Sequence, residues 1–186
     1  MLAGKTVLIG VTGGVTAHYI PELIGQLRWR HLANVQVIMT PAAARFITPL
    51  TLEMASGNPV WSDLWAAADQ SPVAHIQLAR LADLVLIAPA TADIMSKIAH
   101  GSADDLVSLT VMATRAPVLF APAMHETMWT NPIVQENVAR LKGFGYYFVG
   151  PERGISSTGE VGEGRMANIG AIISKLAEVS EAERKT

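Results

Sequence analysis

Three stretches of this 186-residue chain carry side chains whose types and spacing could do chemistry. In VTGGVTAH, residues 11–18, Gly13 and Gly14 stand between an apolar run and a helical pattern. Glycines at such a turn let backbone N–H groups approach an anion at a helix N-terminus. The spacing is not G-x-G-x-x-G and no Gly-Lys-Ser/Thr follows, so neither the dinucleotide fingerprint nor the P-loop is present. A tight strand-to-helix turn explains the two glycines equally well on their own. Thr40 and Thr91 add hydroxyls after two later apolar runs. Three such loops suit one phosphate and a short polyol, which points to a mononucleotide more than to a dinucleotide. The second stretch is PAMHETMW, residues 122–129, where His125 sits among methionines and a tryptophan. A polar side chain held rigidly there serves either a ligand or a structural hydrogen bond. The third is His75, at the start of a helical pattern. A lone histidine in that position is more often structural than reactive, and spacing alone gives it no role. His18, His31 and His100 read as ordinary helix or helix-end residues, and Asp104 and Asp105 as helix caps. No His/Asp/Glu grouping has metal-ligand spacing.

Composition narrows the field. Half of the residues are hydrophobic, 16% are charged and 15 are glycine. That apolar excess suggests surface buried between subunits. A formal net charge of -2 offers no electrostatic case for nucleic acid or an anionic membrane. The absence of cysteine excludes disulfides, zinc–thiolate sites and a protein thiol nucleophile. The opening MLAGKTVLIGVTGG runs into a glycine turn and not a cleavage site, so it reads as a first strand and not a signal peptide. No apolar stretch reaches the roughly 18 residues that span a bilayer. The expectation is one cytoplasmic domain over residues 1–180 with a polar tail at 181–186.

These loops must be positioned by regular elements. KTVLIG (5–10), VQVIM (35–39), LVLIA (84–88), PVLFAP (117–122) and YYFV (146–149) read as strands. The continuous apolar character of LVLIA is that of a parallel strand buried on both faces. Helical spacing covers 17–31, 42–55, 92–100, 104–113, 132–143 and 169–184. Alternating strands and helices predict an α/β fold, a doubly wound parallel sheet in a single domain. Ligands in such sheets sit beyond the carboxyl ends of the strands, where all the unusual loops fall.

Taken together, HIQLARLADLVLIAPATADIMSKIAHGSADDL from His75 and the APAMHETMW ending at Trp129 resemble the flavin-containing cysteine decarboxylases. That family includes phosphopantothenoylcysteine decarboxylase of coenzyme A biosynthesis and the peptidyl-cysteine decarboxylases of lantibiotic-type peptide maturation. The resemblance runs from about Lys5 to Met166. It implies a flavodoxin-like (Rossmann-type) fold and bound FMN, in preference to the FAD that a few relatives bind. It also implies a trimer-based homo-oligomer, commonly a dodecamer, with active sites between subunits. By position, Gly13, Gly14, Val15, Thr40 and Phe46 fall on one side of the FMN site. Thr91, Ala92, Asp93 and Ile94 form its second loop, and Ala123 lies near the isoalloxazine. His75 matches the catalytic histidine. Met124 and His125 face substrate, while Thr158 and Gly159 belong to a glycine-bearing segment, STGEVGEGRM, that covers it.

Three departures from the family pattern bear on the substrate. An asparagine of the second loop is Asp93, the asparagine of the methionine–tryptophan motif is His125, and the cysteine of the covering segment is Thr158. Oxidising a cysteine thiol to a thioaldehyde places C=S β to the carboxylate, so that the electrons left by departing carbon dioxide have somewhere to go. Flavin takes the hydride, and an imidazole titrating near neutral pH can move the proton or orient the carboxylate. A threonine hydroxyl cannot replace a thiol as an acid, so the resemblance implies a reaction that stops at the enethiol. On that ground the expected substrate is a peptide with a C-terminal cysteine, converted to an aminoenethiol. The alternative is phosphopantothenoylcysteine. A flavin prenyltransferase and a non-catalytic flavin-binding regulatory protein are more distant alternatives.

Overall fold

The structure is a computed structural model that describes residues 1–65, 73–155 and 159–183. β-branched runs with apolar residues at every position fill the middle of a sheet, because both of its faces are covered by helices. In chain order the elements are β1 (Thr6–Val11), α1 (Ile20–Trp29), β2 (Asn34–Met39), α2 (Pro49–Ser56) and β3 (Val60–Trp61). There follow α3 (Ala74–Leu81), β4 (Leu84–Ala90), α4 (Ala92–Ala99), α5 (Leu106–Ala113), β5 (Val118–Pro122) and α6 (Glu126–Trp129). The last are α7 (Pro132–Gly143), β6 (Tyr147–Phe148), β7 (Glu152–Ile155), β8 (Val161–Arg165) and α8 (Ile169–Ala182). Six parallel strands pair in the order β3-β2-β1-β4-β5-β6, and β7 and β8 form a separate antiparallel pair. Leaving out the two-residue edge strand β3, the order is that of the flavodoxin-like doubly wound sheet.

Alternation along β1 assigns the two faces. Val7, Ile9 and Val11 join Leu23 and Leu27 of α1 and Leu176 of α8 in one buried layer. Leu8 joins Ile94 and Met95 of α4 and Val107 of α5 in the other. All seven residues of β4 are buried, as the run LVLIA predicts.

Local chemistry divides two of the expected helices. Thr48 has extended backbone before Pro49 and caps α2 by accepting from Thr51 N–H, so the expected helix over 42–55 becomes a short 3-10 turn followed by α2. The helix expected from Ala17 begins as a 3-10 turn over Val15–Tyr19, and α1 starts with Pro21 in its first turn. Edge strand β3, helix α6 and the β7–β8 pair are additions to the expected elements. The terminal helix ends at Ala182, and Arg184 lies outside the described residues. No helix among the described residues is long and apolar enough to cross a membrane.

Candidate active-site cleft

Beyond the carboxyl ends of β1 and β4, where the direction of winding reverses, lies a cleft of about 290 Å³. This is where doubly wound sheets bind ligands. Gly13, Gly14, Val15, Thr91, Ala92, Ala123, Met124 and His125 line it. The floor is tied together by hydrogen bonds between its loops. Thr12 Oγ1 donates to the Pro89 carbonyl at 2.5 Å and lies 3.3 Å from Thr91 Oγ1, joining the ends of β1 and β4. Thr91 also caps α4, accepting from Ile94 N–H at 3.4 Å. The Ala123 N–H donates to the Ala90 carbonyl at 3.1 Å, fixing the loop after β5.

The β7–β8 pair closes one wall. The Met124 N–H donates to Gly164 O at 2.9 Å, and Glu163 N–H donates to Glu126 Oε1 at 3.2 Å. Gly164 has φ +151°, and a Cβ there would run into the Met124 carbonyl oxygen, so only glycine lets the pair lie this close. His125 is the N-cap of α6: its Nδ1 accepts from Thr127 N–H at 3.3 Å and lies 2.9 Å from Thr127 Oγ1. Its Nε2 lies 2.7 Å from Glu160 Oε2.

Several residues that the resemblance carries to the site stand outside the cleft. Thr40 is buried and its Oγ1 accepts from Ala43 N–H at 3.3 Å, while Phe46 is half exposed beyond that turn. Ile94 is fully buried in the core, where its N–H serves the cap of α4. Asp93 points to Lys97 one turn on, 3.6 Å away. Lys97 also holds Asp105 at 3.1 Å and Asp104 at 3.2 Å. Burial works to lower the Lys97 pKa, but the hydrogen bonds to Asp105 and Asp104 and the charges of Asp105 and Asp93 outweigh it. The ammonium is therefore held well above the usual lysine range. Gly159 has φ +85° and lies beside the cleft residue Glu160 without lining the cleft itself, and Thr158 lies outside the described residues. His75, half-buried in the first turn of α3, does not line the cleft.

Among the lining residues, Thr16, Glu126 and Glu160 have no individual role in the sequence reading. Thr16 could have been found from its place in VTGGVT, next to the glycines. Glu126 lies in PAMHETMW and Glu160 in STGEVGEGRM, but their contacts carry no local signal, because the partners are 37 and 35 residues away.

A doubly wound sheet with a glycine- and threonine-lined cleft at its switch point defines a flavodoxin-like nucleotide-binding class. The family described as Flavoprotein matches residues 1–181, and the chain belongs to that family. It is 46% identical over 165 residues to the coenzyme A biosynthesis bifunctional protein CoaBC of Vibrio vulnificus, covering 89% of this chain and 41% of that protein. The chain thus spans less than half the length of that curated relative. It is 42% identical over 176 residues to the probable phosphopantothenoylcysteine decarboxylase of Streptococcus mutans, covering 94% of this chain and 98% of that one. Among solved structures it is similar to the FMN-dependent cysteine decarboxylase SpaF, with 32% identity, a TM-score of 0.85 and coverage of 97% and 99% of the two chains. It is also similar to a cysteine-mutated PPC decarboxylase complexed with pantothenoylaminoethenethiol, with 29% identity, a TM-score of 0.87 and coverage of 96% and 99%. These relatives weigh toward the coenzyme A alternative and away from the peptide substrate expected from the missing cysteine.

Proposed function

We propose that the chain is an FMN-dependent decarboxylase of a cysteinyl carboxylate, and that its substrate is 4'-phosphopantothenoylcysteine. The observation that carries this reading is 42% identity to the Streptococcus mutans relative across nearly the full length of both chains. The cleft supports the cofactor independently. A Cβ on Gly13 would stand 2.7 Å from Ala42 Cβ, so that turn is bare backbone by necessity. Thr16 Oγ1 is buried with no hydrogen-bond partner among the described residues, and it lines the same cleft. An orphaned hydroxyl beside bare peptide groups fits the phosphate and polyol of a mononucleotide.

Bound there, FMN supplies the two-electron acceptor for oxidation of the substrate's sulfur-bearing carbon. The remaining tasks fall to side chains. His125 donates Nε2–H to the substrate carboxylate, with its ring orientation set by the cap on α6. His75 takes the thiol proton. Because it does not line the cleft of its own chain, it serves the cleft of a neighbouring copy. Phe46, Leu50 and Met54 are exposed and offer apolar surface for such a homo-oligomer.

The absence of cysteine favours a reaction that halts at the aminoenethiol. The acid needed to complete reduction is a thiol in the coenzyme A branch, and Thr158 cannot match it. Halting there would leave two electrons on the bound cofactor, which an external acceptor would have to remove. Mass spectrometry of the products from 4'-phosphopantothenoylcysteine and from a cysteine-ended peptide tests both points. Loss of carbon dioxide and two hydrogens from the former supports the proposal. Loss of carbon dioxide alone moves the product to the saturated thiol, and turnover of the peptide alone restores the peptide substrate.

A further inference from the structure

The contact between His125 and Glu160 bears on how the substrate acid gains its place, and this inference rests on His125 being the carboxylate contact. At His125, Nδ1 takes the Thr127 N–H at 3.3 Å, as an N-cap acceptor must. A ring nitrogen that accepts carries a lone pair, so the proton of the neutral imidazole lies on Nε2. That Nε2–H donates to Glu160 Oε2 at 2.7 Å. The one directed donor of the side chain is therefore already held by an acid of the chain itself.

Glu160 is not there by the accident of a long side chain reaching over. It precedes β8, whose backbone is fastened to the His125 loop through Gly164 O and Glu163 N–H. Two carboxylates cannot both accept a single N–H, and their charges repel at that distance. An incoming acid must displace Glu160, whereas a neutral amide gains much less from doing so.

We propose that Glu160 is a specificity-determining residue, an internal carboxylate that occupies His125 Nε2–H until the substrate's carboxylate displaces it. The residue sets the threshold an acid must exceed to enter the site. It is a positioning residue, acting on substrate through His125.

The test is calorimetric binding to the FMN-loaded protein of the serine analogue of phosphopantothenoylcysteine, which has no thiol to oxidise, and of its C-terminal amide. E160A should bind the acid about tenfold more tightly than the parent, the scale of one charge-assisted hydrogen bond, and E160Q, which loses the charge but keeps an accepting oxygen, should show a smaller gain. The amide should change by less than about twofold. E163Q removes an equal charge from the cleft wall without touching His125, and it should leave both affinities near the parent values. An unchanged or weaker affinity of the Glu160 variants for the acid overturns the proposal. So does an equal gain for acid and amide, or an equal gain in E163Q. His125→Ala separates the two layers. If it leaves the preference for acid over amide intact, the carboxylate role of His125 fails. If it abolishes that preference while the Glu160 variants do nothing, only the present inference fails.

Discussion

Gly13→Ala is the sharpest perturbation of the cleft. The added Cβ would lie 2.7 Å from Ala42 Cβ, 3.2 Å from Ala42 C and 3.3 Å from Ala42 O. None of these atoms can rotate away, since alanine has no side-chain rotamer and the other two are backbone. Restoring ordinary carbon–carbon contact requires the turn after β1 and the segment after Thr40 to part by about 1 Å. Overpacking of this kind costs roughly 1–3 kcal/mol. In a chain of this length each kcal/mol moves Tm by about 2–4 °C, so a fall of about 2–12 °C is expected. On the proposed reading the bare N–H groups face the FMN phosphate, and the same displacement moves them away from it. Loss of one charge-assisted hydrogen bond, about 1.5–3 kcal/mol, weakens FMN binding roughly 10- to 100-fold. Thermal unfolding of the flavin-free protein and a fluorescence titration with FMN read the two effects separately. Unchanged Tm together with full FMN affinity would refute the cradle argument.

Gly25→Ala acts in the opposite direction. Gly25 sits within α1 with nothing within 4 Å of the place a Cβ would take, so alanine should add about 0.5–1 kcal/mol by helix propensity and raise Tm by a few degrees in the same thermal scan. Lys97→Met strands Asp105, whose side chain is buried and caps α5, beside Asp104 and Asp93. Partial exposure of the lysine discounts the usual figure for a broken buried pair to about 2 kcal/mol, measured by chemical denaturation at neutral pH. Because the lysine pKa is raised, that contribution is complete below the ordinary lysine value and fades as pH climbs above it, so parent and variant should converge in strong alkali. At Asp83, burial pushes the carboxyl up, but hydrogen bonds from Lys5 and the Thr6 N–H and the charge of Lys5 bring it below its usual range. Its contribution is therefore present above that range and lost on acidification through the lowered value. Asp83→Asn should lose under about 1 kcal/mol at neutral pH and match the parent once the pH falls below the lowered value, as denaturant melts would read.

Much of this fold could be read from period and punctuation. The unbroken run LVLIA at 84–88 marked a doubly covered strand, and Gly13, Gly14 and Thr91 marked the loops that meet at the switch point. Two-residue strands such as β3 are too short to leave a pattern, and Pro49 divided a helix that apolar spacing made continuous. Two of the residues expected at the cofactor, Asp93 and Ile94, stand outside the cleft for one cause. The Ile94 N–H and the Asp93 carboxylate serve the start of α4, where capping and an i,i+4 ion pair use them up. Glu160 lies in the segment STGEVGEGRM that the resemblance singles out, but its contact with His125 depends on how β8 lies against a distant loop, which no local spacing encodes. His75, to which only the family resemblance gives a role, does not line the cleft of its own chain, and its proposed part in the reaction needs a neighbouring copy.

The most direct test is release of labelled carbon dioxide from phosphopantothenoylcysteine carrying the label in its cysteine carboxyl group. FMN-loaded protein should release it, flavin-stripped protein should not, and His75→Asn should be silent even when loaded with FMN. Release that persists without flavin, or that is undiminished in His75→Asn, would contradict the account.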